Sequence, residues 1–169
     1  MNSKVKSSLN EQINKEFFSA YLYLSFANYC VSEGLDGFAN WYRVQAQEER
    51  DHAMLMVTYL QNNDETVEYE AIKKPGNTWK NALEVLKEGL AHEKFITSSI
   101  NKIYDIAIEV KDYRTTQFLD WFIKEQNEEE NSASLLIKKA EMLGTEGKGL
   151  YLLDRELIRR VYTPGPKEL

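Results

Sequence analysis

At 169 residues the chain has enough material for one well-cored domain and too little for two ordinary ones, so a single domain over 1–169 is expected. Its 27 acidic against 21 basic side chains leave a formal charge of −6, which gives no electrostatic basis for binding nucleic acid or an anionic membrane and favours a cationic ligand. The lone cysteine, Cys30, has no internal disulfide partner and reads as a packed core thiol, and neither the N-terminus nor AYLYLSFANYCV is apolar enough for a signal peptide or a membrane span, so a soluble cytoplasmic protein is expected.

Only Pro75, Pro164 and Pro166 interrupt the chain, which leaves long stretches free of helix breakers. The first predicted helix runs from about Ser7 to Ser32, with Leu9, Ile13, Glu16, Ala20, Tyr23, Ala27 and Val31 at steps of three and four, and stops near Gly34. The second opens after Asp36 and Gly37 and carries Phe38, Trp41, Gln45, Glu49, His52, Met56 and Tyr59 on one stripe; Asn62, Asn63 and Asp64 end it. From Asp64 to Thr78 the period vanishes, and DETVEYEAIKKPGNT reads as an extended surface connection. A third helix presents Leu83, Leu86, Leu90, Glu93, Thr97, Ile100 and Tyr104. A fourth, from about Asp112 to Leu143, presents Phe118, Phe122, Gln126, Glu129, Ala133, Leu136 and Ala140. After the break GTEGKG comes a short fifth helix, about 149–162, with Leu150, Leu153, Leu157 and Val161 on one side; alone it is too short to be stable and needs a docking surface on its own bundle or on a neighbouring subunit.

Four long amphipathic helices without a strand signal predict an all-α four-helix bundle over about 7–143. The first and last links are short and force antiparallel neighbours. A helix of this length is roughly 40 Å long at ~1.5 Å per residue, and about 15 extended residues reach roughly 50 Å. The middle link can therefore cross the whole bundle and leave the second and third helices parallel, an up-down-down-up topology.

Each core stripe is interrupted by one glutamate near the middle of its helix: Glu16, Glu49, Glu93 and Glu129. Midpoints of equal-length helices share one level whichever way each runs, so the four carboxylates should converge, with His52 one turn beyond Glu49. No lysine or arginine falls on the four stripes, and a bound cation is the simplest neutraliser. Taken singly, each glutamate fits a boundary residue snorkelling to water; four at one height with a Glu-x-x-His do not. Oxygen donors with one nitrogen favour iron or manganese, with zinc as an alternative. His92 points about 100° away from Glu93 on its helix and reads as a non-ligand. The run EQNEEE is open to two readings, a solvated acidic face or a further metal position, because Glu125, Glu128 and Glu129 stand at helical spacing and Glu48 adjoins Glu49.

The stretches NEQINKEFFSAYLYL, QAQEERDHA, LAHEKF, FLDWFIKEQNEEE and GLYLLDRELI together resemble the ferritin-like di-iron carboxylate bundles, the same class that serves as the general example of glutamate and Glu-x-x-His sites in a bundle core, and within them the bacterial non-haem ferritins. The resemblance covers nearly the whole chain. It implies an iron-storage protein with ferroxidase activity, oxidising Fe(II) with O2 or H2O2 and keeping Fe(III) as a mineral inside a homo-oligomeric shell of 24 subunits. It implies one iron held by Glu16, Glu49 and His52, and a second by Glu93 and Glu129, with Glu49 bridging and Gln126 nearby. Tyr23 and Trp121 match aromatic residues beside the centre, and on the residues alone they are equally ordinary core. A third iron, on Glu48, Glu125 and Glu128 with Glu129 shared, is also implied. The chain departs from the haem-binding relatives: Ser132 stands where a second Glu-x-x-His would need histidine, and Arg50 where they carry a haem-ligating methionine, so no haem is expected. One cysteine likewise excludes a rubredoxin-like domain. The alternatives are a di-iron enzyme acting on peroxide or a small substrate without storing mineral, and a helical scaffold with no metal chemistry.

Overall fold

A computed structural model describes residues 1–166 and 169, and among these every regular element is helical. In order they are α1 (Ser3–Ser32), α2 (Asp36–Asn62), α3 (Ala82–Glu109), α4 (Tyr113–Leu143) and α5 (Gly147–Leu157). The first helix starts four residues earlier than its apolar stripe suggests. Asn2 accepts the Lys4 amide at 2.9 Å as an N-cap, and the extra turn buries Val5 completely.

Two tight corners join the antiparallel pairs. At the first, Gly34 adopts a left-handed φ of 74° and the Leu35 amide reaches back to the Cys30 carbonyl at 2.9 Å, closing the end of α1. The second corner, between α3 and α4, repeats the closure with the Asp112 amide on the Ala107 carbonyl at 2.8 Å. Asp112 then turns its side chain to the Thr115 amide and caps α4.

Residues 63–81 form the long crossover, and side chains of α1 mark its path. Asn10 accepts the Glu68 amide at 2.7 Å, Asn14 donates to the Glu70 carbonyl at 3.3 Å, and Ser25 donates to the Gly76 carbonyl at 2.5 Å. Rising crossover numbers thus meet rising α1 numbers, and the segment travels the length of the bundle. Trp79 ends it by packing edge-on against Phe26 and Tyr29.

The core divides into two apolar clusters. One gathers Val5, Leu9 and Ile13 of α1 with Leu55 to Leu60 of α2, Ile96 to Ala107 of α3 and Phe118 to Phe122 of α4. The other joins the far ends of the same helices, Phe26 and Cys30 with Phe38 and Tyr42, Val85 and Leu86, and Leu136 and Ala140. The start of α1 therefore lies with the end of α2, the end of α3 and the start of α4, which makes α2 and α3 parallel as the crossover length requires. The level between the clusters carries the polar side chains.

The fifth helix docks on its own bundle, one of the two surfaces the sequence left open. Leu153 and Leu157 are buried in the second cluster. Asp154 acts as an N-cap supplied from another helix: Leu35 offers α2 no side-chain cap, and one Asp154 carboxylate oxygen accepts the Gly37 amide at 2.7 Å and the Phe38 amide at 3.0 Å. The close approach requires glycine, because a Cβ at position 37 would overlap the Asp154 backbone carbonyl. In return Asn40 of α2 donates to the Leu157, Ile158 and Arg160 carbonyls, satisfying the end of α5. The helix ends there, short of the expected 162. Val161, expected on its apolar side, is 79% exposed, since the chain after Leu157 leaves the helical path. Val31 at the end of the α1 stripe is also exposed.

Candidate metal centre

Helical period fixes one face of each long helix, and the bundle brings the middles of those faces together. Glu16 is 0% and Glu49 1% exposed; His52 and Glu93 are buried, and Glu129 is half-buried. Their ligand-type atoms fall into three groups, each lying within 4.8 Å of one another: Glu16, Glu49 and His52; Glu49, Glu93 and Glu129; and His52, Glu125 and Glu129. The first two share Glu49, so two groups that could each hold a cation stand side by side with one carboxylate in common.

The protein supplies hydrogen bonds around this belt without completing it. Gln12 donates to Glu16 Oε1 at 2.8 Å, and Gln45 donates to Glu129 Oε1 at 2.9 Å and Glu49 Oε1 at 3.3 Å. Tyr23 donates its hydroxyl to Glu93 Oε1, and Gln126 donates to Glu93 Oε2 at 3.2 Å. Yet Gln12 Oε1, Glu16 Oε2, Glu129 Oε2 and His52 Nδ1 are fully enclosed and have no hydrogen-bond partner among the described residues. Buried polar atoms are almost always paired, so orphans on Glu16, His52 and Glu129, all members of these groups, mark a place for a ligand that accepts electron pairs. An oxygen-rich donor set with one imidazole nitrogen suits iron or manganese.

Electrostatics agree with that geometry. Burial pushes the Glu16, Glu49, Glu93 and Glu129 carboxyls above the ordinary 4.5, and Glu49 and Glu129 go furthest because each also faces other glutamates. Burial and the facing Glu93 and Glu49 carboxyls raise the Tyr23 phenol well above 10, so it stays protonated and serves as a donor.

The remaining expected residues are placed unequally. Trp121 packs edge-on against His52 with ring centroids 5.4 Å apart. His92 turns away, as its helical angle predicts: Nε2 lies 2.7 Å from Ser19 Oγ, and burial lowers its pKa to about 4, leaving it neutral. Of the residues expected around a third metal, Glu125 joins His52 and Glu129, whereas Glu128 is exposed and Glu48 is turned to Arg160 at 2.5 Å. Three residues of the site escaped the sequence reading as participants. Gln12 and Gln45 each precede a core glutamate by four residues, a repeated spacing that was there to be found. Arg160 comes from the tail after α5, and no local period leads to it.

Comparisons with known proteins point the same way. A family model described as a ferritin-like domain matches residues 6–143. A bacterial non-heme ferritin of Campylobacter jejuni is 41% identical over 155 residues, spanning 92% of this chain and 93% of the relative. A probable bacterial non-heme ferritin-like protein of Haemophilus influenzae is 38% identical, spanning 93% and 95%. Among solved structures, an open-pore ferritin from the hyperthermophilic archaeon Archaeoglobus fulgidus superposes with a TM-score of 0.94 at 40% identity, covering 95% of this chain and 99% of that one. An engineered closed form of that ferritin gives 0.95 at 40% identity, covering 96% and 99%.

Proposed function

The chain belongs to the ferritin family, and on that premise we propose that it oxidises Fe(II) to Fe(III) at the mid-bundle centre, with O2 or H2O2 as oxidant, and stores the product as ferric mineral inside a shell of 24 copies. Iron is the substrate and cargo. Glu16, Glu49 and His52 receive one Fe(II); Glu93 and Glu129 receive the other, with Glu49 shared. The observation that carries this reading is the set of enclosed, unpartnered atoms on Glu16, His52 and Glu129 between two apolar clusters.

The side chains have distinct tasks. Burial makes the metal-free carboxyls easier to protonate, so an arriving Fe(II) competes with protons for them. Hard anionic oxygens then favour the ferric over the ferrous ion, which lowers the cost of giving an electron to the oxidant. Gln12, Gln45, Tyr23 and Gln126 hold the carboxylates in place by donating to one oxygen each of Glu16, Glu49 and Glu129 and to both oxygens of Glu93. Tyr23 stays a hydrogen-bond donor in this reading. A third iron position uses Glu125 and Glu129, with Glu48 joining from α2 and Glu128 at its outer edge.

The alternative of an organic-substrate di-iron enzyme is disfavoured by space. The cavity beside the centre, bounded by Tyr23, Tyr42, Gln45, Glu93 and Glu129, measures about 30 Å³. That is room for a water or a diatomic molecule. No helix among the described residues is long and apolar enough to cross a membrane, consistent with cytoplasmic iron handling as proposed.

Rapid mixing with Fe(II) tests the assignment. Glu16→Ala and His52→Ala should slow the fast oxidation phase by roughly a hundredfold or more, since even residues that merely support metal ligands are typically worth 10–100-fold. Helical content should be unchanged. Initial rates equal to the parent in both variants would overturn the centre, and a protein that stays monomeric at high concentration would overturn storage.

A further inference from the structure

Arg160 lies on the tail beyond α5, about a hundred residues of chain away from anything it touches near the metal centre. Four contacts fix its guanidinium. It stacks over the Trp41 ring at 4.0 Å; Nη2 meets Glu48 Oε2 at 2.5 Å; and Nη1 donates to Gln45 Oε1 at 2.9 Å and to the Trp41 carbonyl at 3.3 Å. The tail is itself anchored, by Asn40 on the Arg160 carbonyl at 2.9 Å and by the Tyr162 hydroxyl on Asp51.

Two consequences reach the centre. A guanidinium has no acceptor, so Gln45 must turn its carbonyl oxygen towards Arg160 and its NH2 towards Glu49 and Glu129. That is the orientation observed, with donation to Glu129 at 2.9 Å and to Glu49 at 3.3 Å. The second consequence concerns Glu48. It stands next to Glu49 in the chain and lies close enough to His52 and Glu125 to feel their charge, but its carboxylate is taken by a cation that belongs to the protein. The Arg160 and Glu48 side chains are 21% and 24% exposed, so water screens the pair and a divalent ion can compete for the carboxylate.

We propose that Arg160 is a positioning residue of the metal centre: it competes with the third iron for Glu48 while holding Gln45 as a donor to Glu49 and Glu129, so that the tail after α5 sets how readily the third position fills. The proposal rests on the third iron position described above. With Arg160 in place, the paired site fills first and the third position stays weak. A third ion that takes Glu48 Oε2 displaces the guanidinium from it, while Asn40 and Asp51 still hold the tail on α2.

The test is calorimetric titration of the assembled protein with Zn(II), which is redox-inert, comparing the parent with Arg160→Gln, Arg160→Lys and Glu48→Gln. The parent should show tight binding at the paired site and a weaker third class. Arg160→Gln should tighten the third class relative to the paired site by about threefold to tenfold, the worth of a partly screened charge pair. Arg160→Lys, which keeps the charge and loses the two-pronged geometry, should fall between. A merely structural role for Arg160 predicts the opposite sign, because loosening the fold weakens binding. If Glu48→Gln removes the third class and Arg160→Gln leaves it at parent affinity or weaker, the role of Arg160 is overturned and the third position stands. If Glu48→Gln leaves the parent titration unchanged, the third position itself is overturned, and the proposal with it.

Discussion

Two regions bury carboxylates in the same bundle and treat them oppositely. At the α5 dock, Asp154 is buried and its Oδ1 accepts two backbone amides at the start of α2, where the helix dipole also favours a negative charge. At the mid-bundle belt, Glu16, Glu49, Glu93 and Glu129 face one another, and two of them keep an enclosed oxygen with no partner. The first carboxylate is complete and holds two elements together. The second set is incomplete, and under the proposed function a cation completes it. The two histidines repeat the contrast: His92 is paired with Ser19, while His52 Nδ1 is orphaned.

The largest expected effect tests the incomplete belt. Because the four glutamate pKa values are raised above 4.5, the metal-free fold favours the protonated carboxyls. Its stability contribution is fully present below about 4.5 and is lost as pH rises through the raised values. Metal binding needs the carboxylates, so the stabilisation by Zn(II) should widen over the same rise. At a hundredfold excess over the dissociation constant it should reach about 2.7 kcal/mol for one ion near neutrality. Glu49→Gln should abolish most of this gain, flatten the pH dependence and raise the metal-free melting temperature at pH 7. Melting curves at pH 5, 6 and 7 with and without Zn(II) decide it; a metal-free Glu49→Gln protein less stable than the parent at pH 7 would erase the contrast with Asp154.

Asp154→Ala should act in the other direction. Loss of the cap should cost about 1–2 kcal/mol while leaving the Zn(II) gain intact. Cys30 offers a local reporter, since it is fully buried beside Leu153 and Leu157 and burial pushes its thiol up to about 12. Thiol labelling should be slow in the parent, faster in Asp154→Ala and unchanged in metal-loaded parent at the same pH relative to its stability. Equal labelling in parent and Asp154→Ala would mean that the cap does not hold α5 down.

The smallest effect separates the histidines. His92→Gln should cost about 1 kcal/mol through the lost contact with Ser19 and leave Zn(II) stoichiometry unchanged. A lost metal ion in that variant would make His92 a participant and remove the distinction.

Much of this was legible in the chain. The four stripes determined helix number and facing, the crossover length determined that α2 and α3 run parallel, and the mid-helix position of each glutamate predicted the belt, because helical period and rise are properties of the backbone alone. Those are local rules, and they fail wherever a segment takes its conformation from a partner far away in sequence. The end of α5 was misjudged for that reason: Asn40 closes the helix at Leu157 from outside, and the apolar repeat running on to Val161 has no influence once the carbonyls are taken. Nor does any spacing announce that Asp154 caps α2 or that Arg160 returns to Glu48 and Gln45. Helical period was enough to say which side chains lie on which helix face and at what height. Which of the buried acids already have partners and which still lack one emerges from the folded arrangement alone, because a charge is satisfied by whatever reaches it in space.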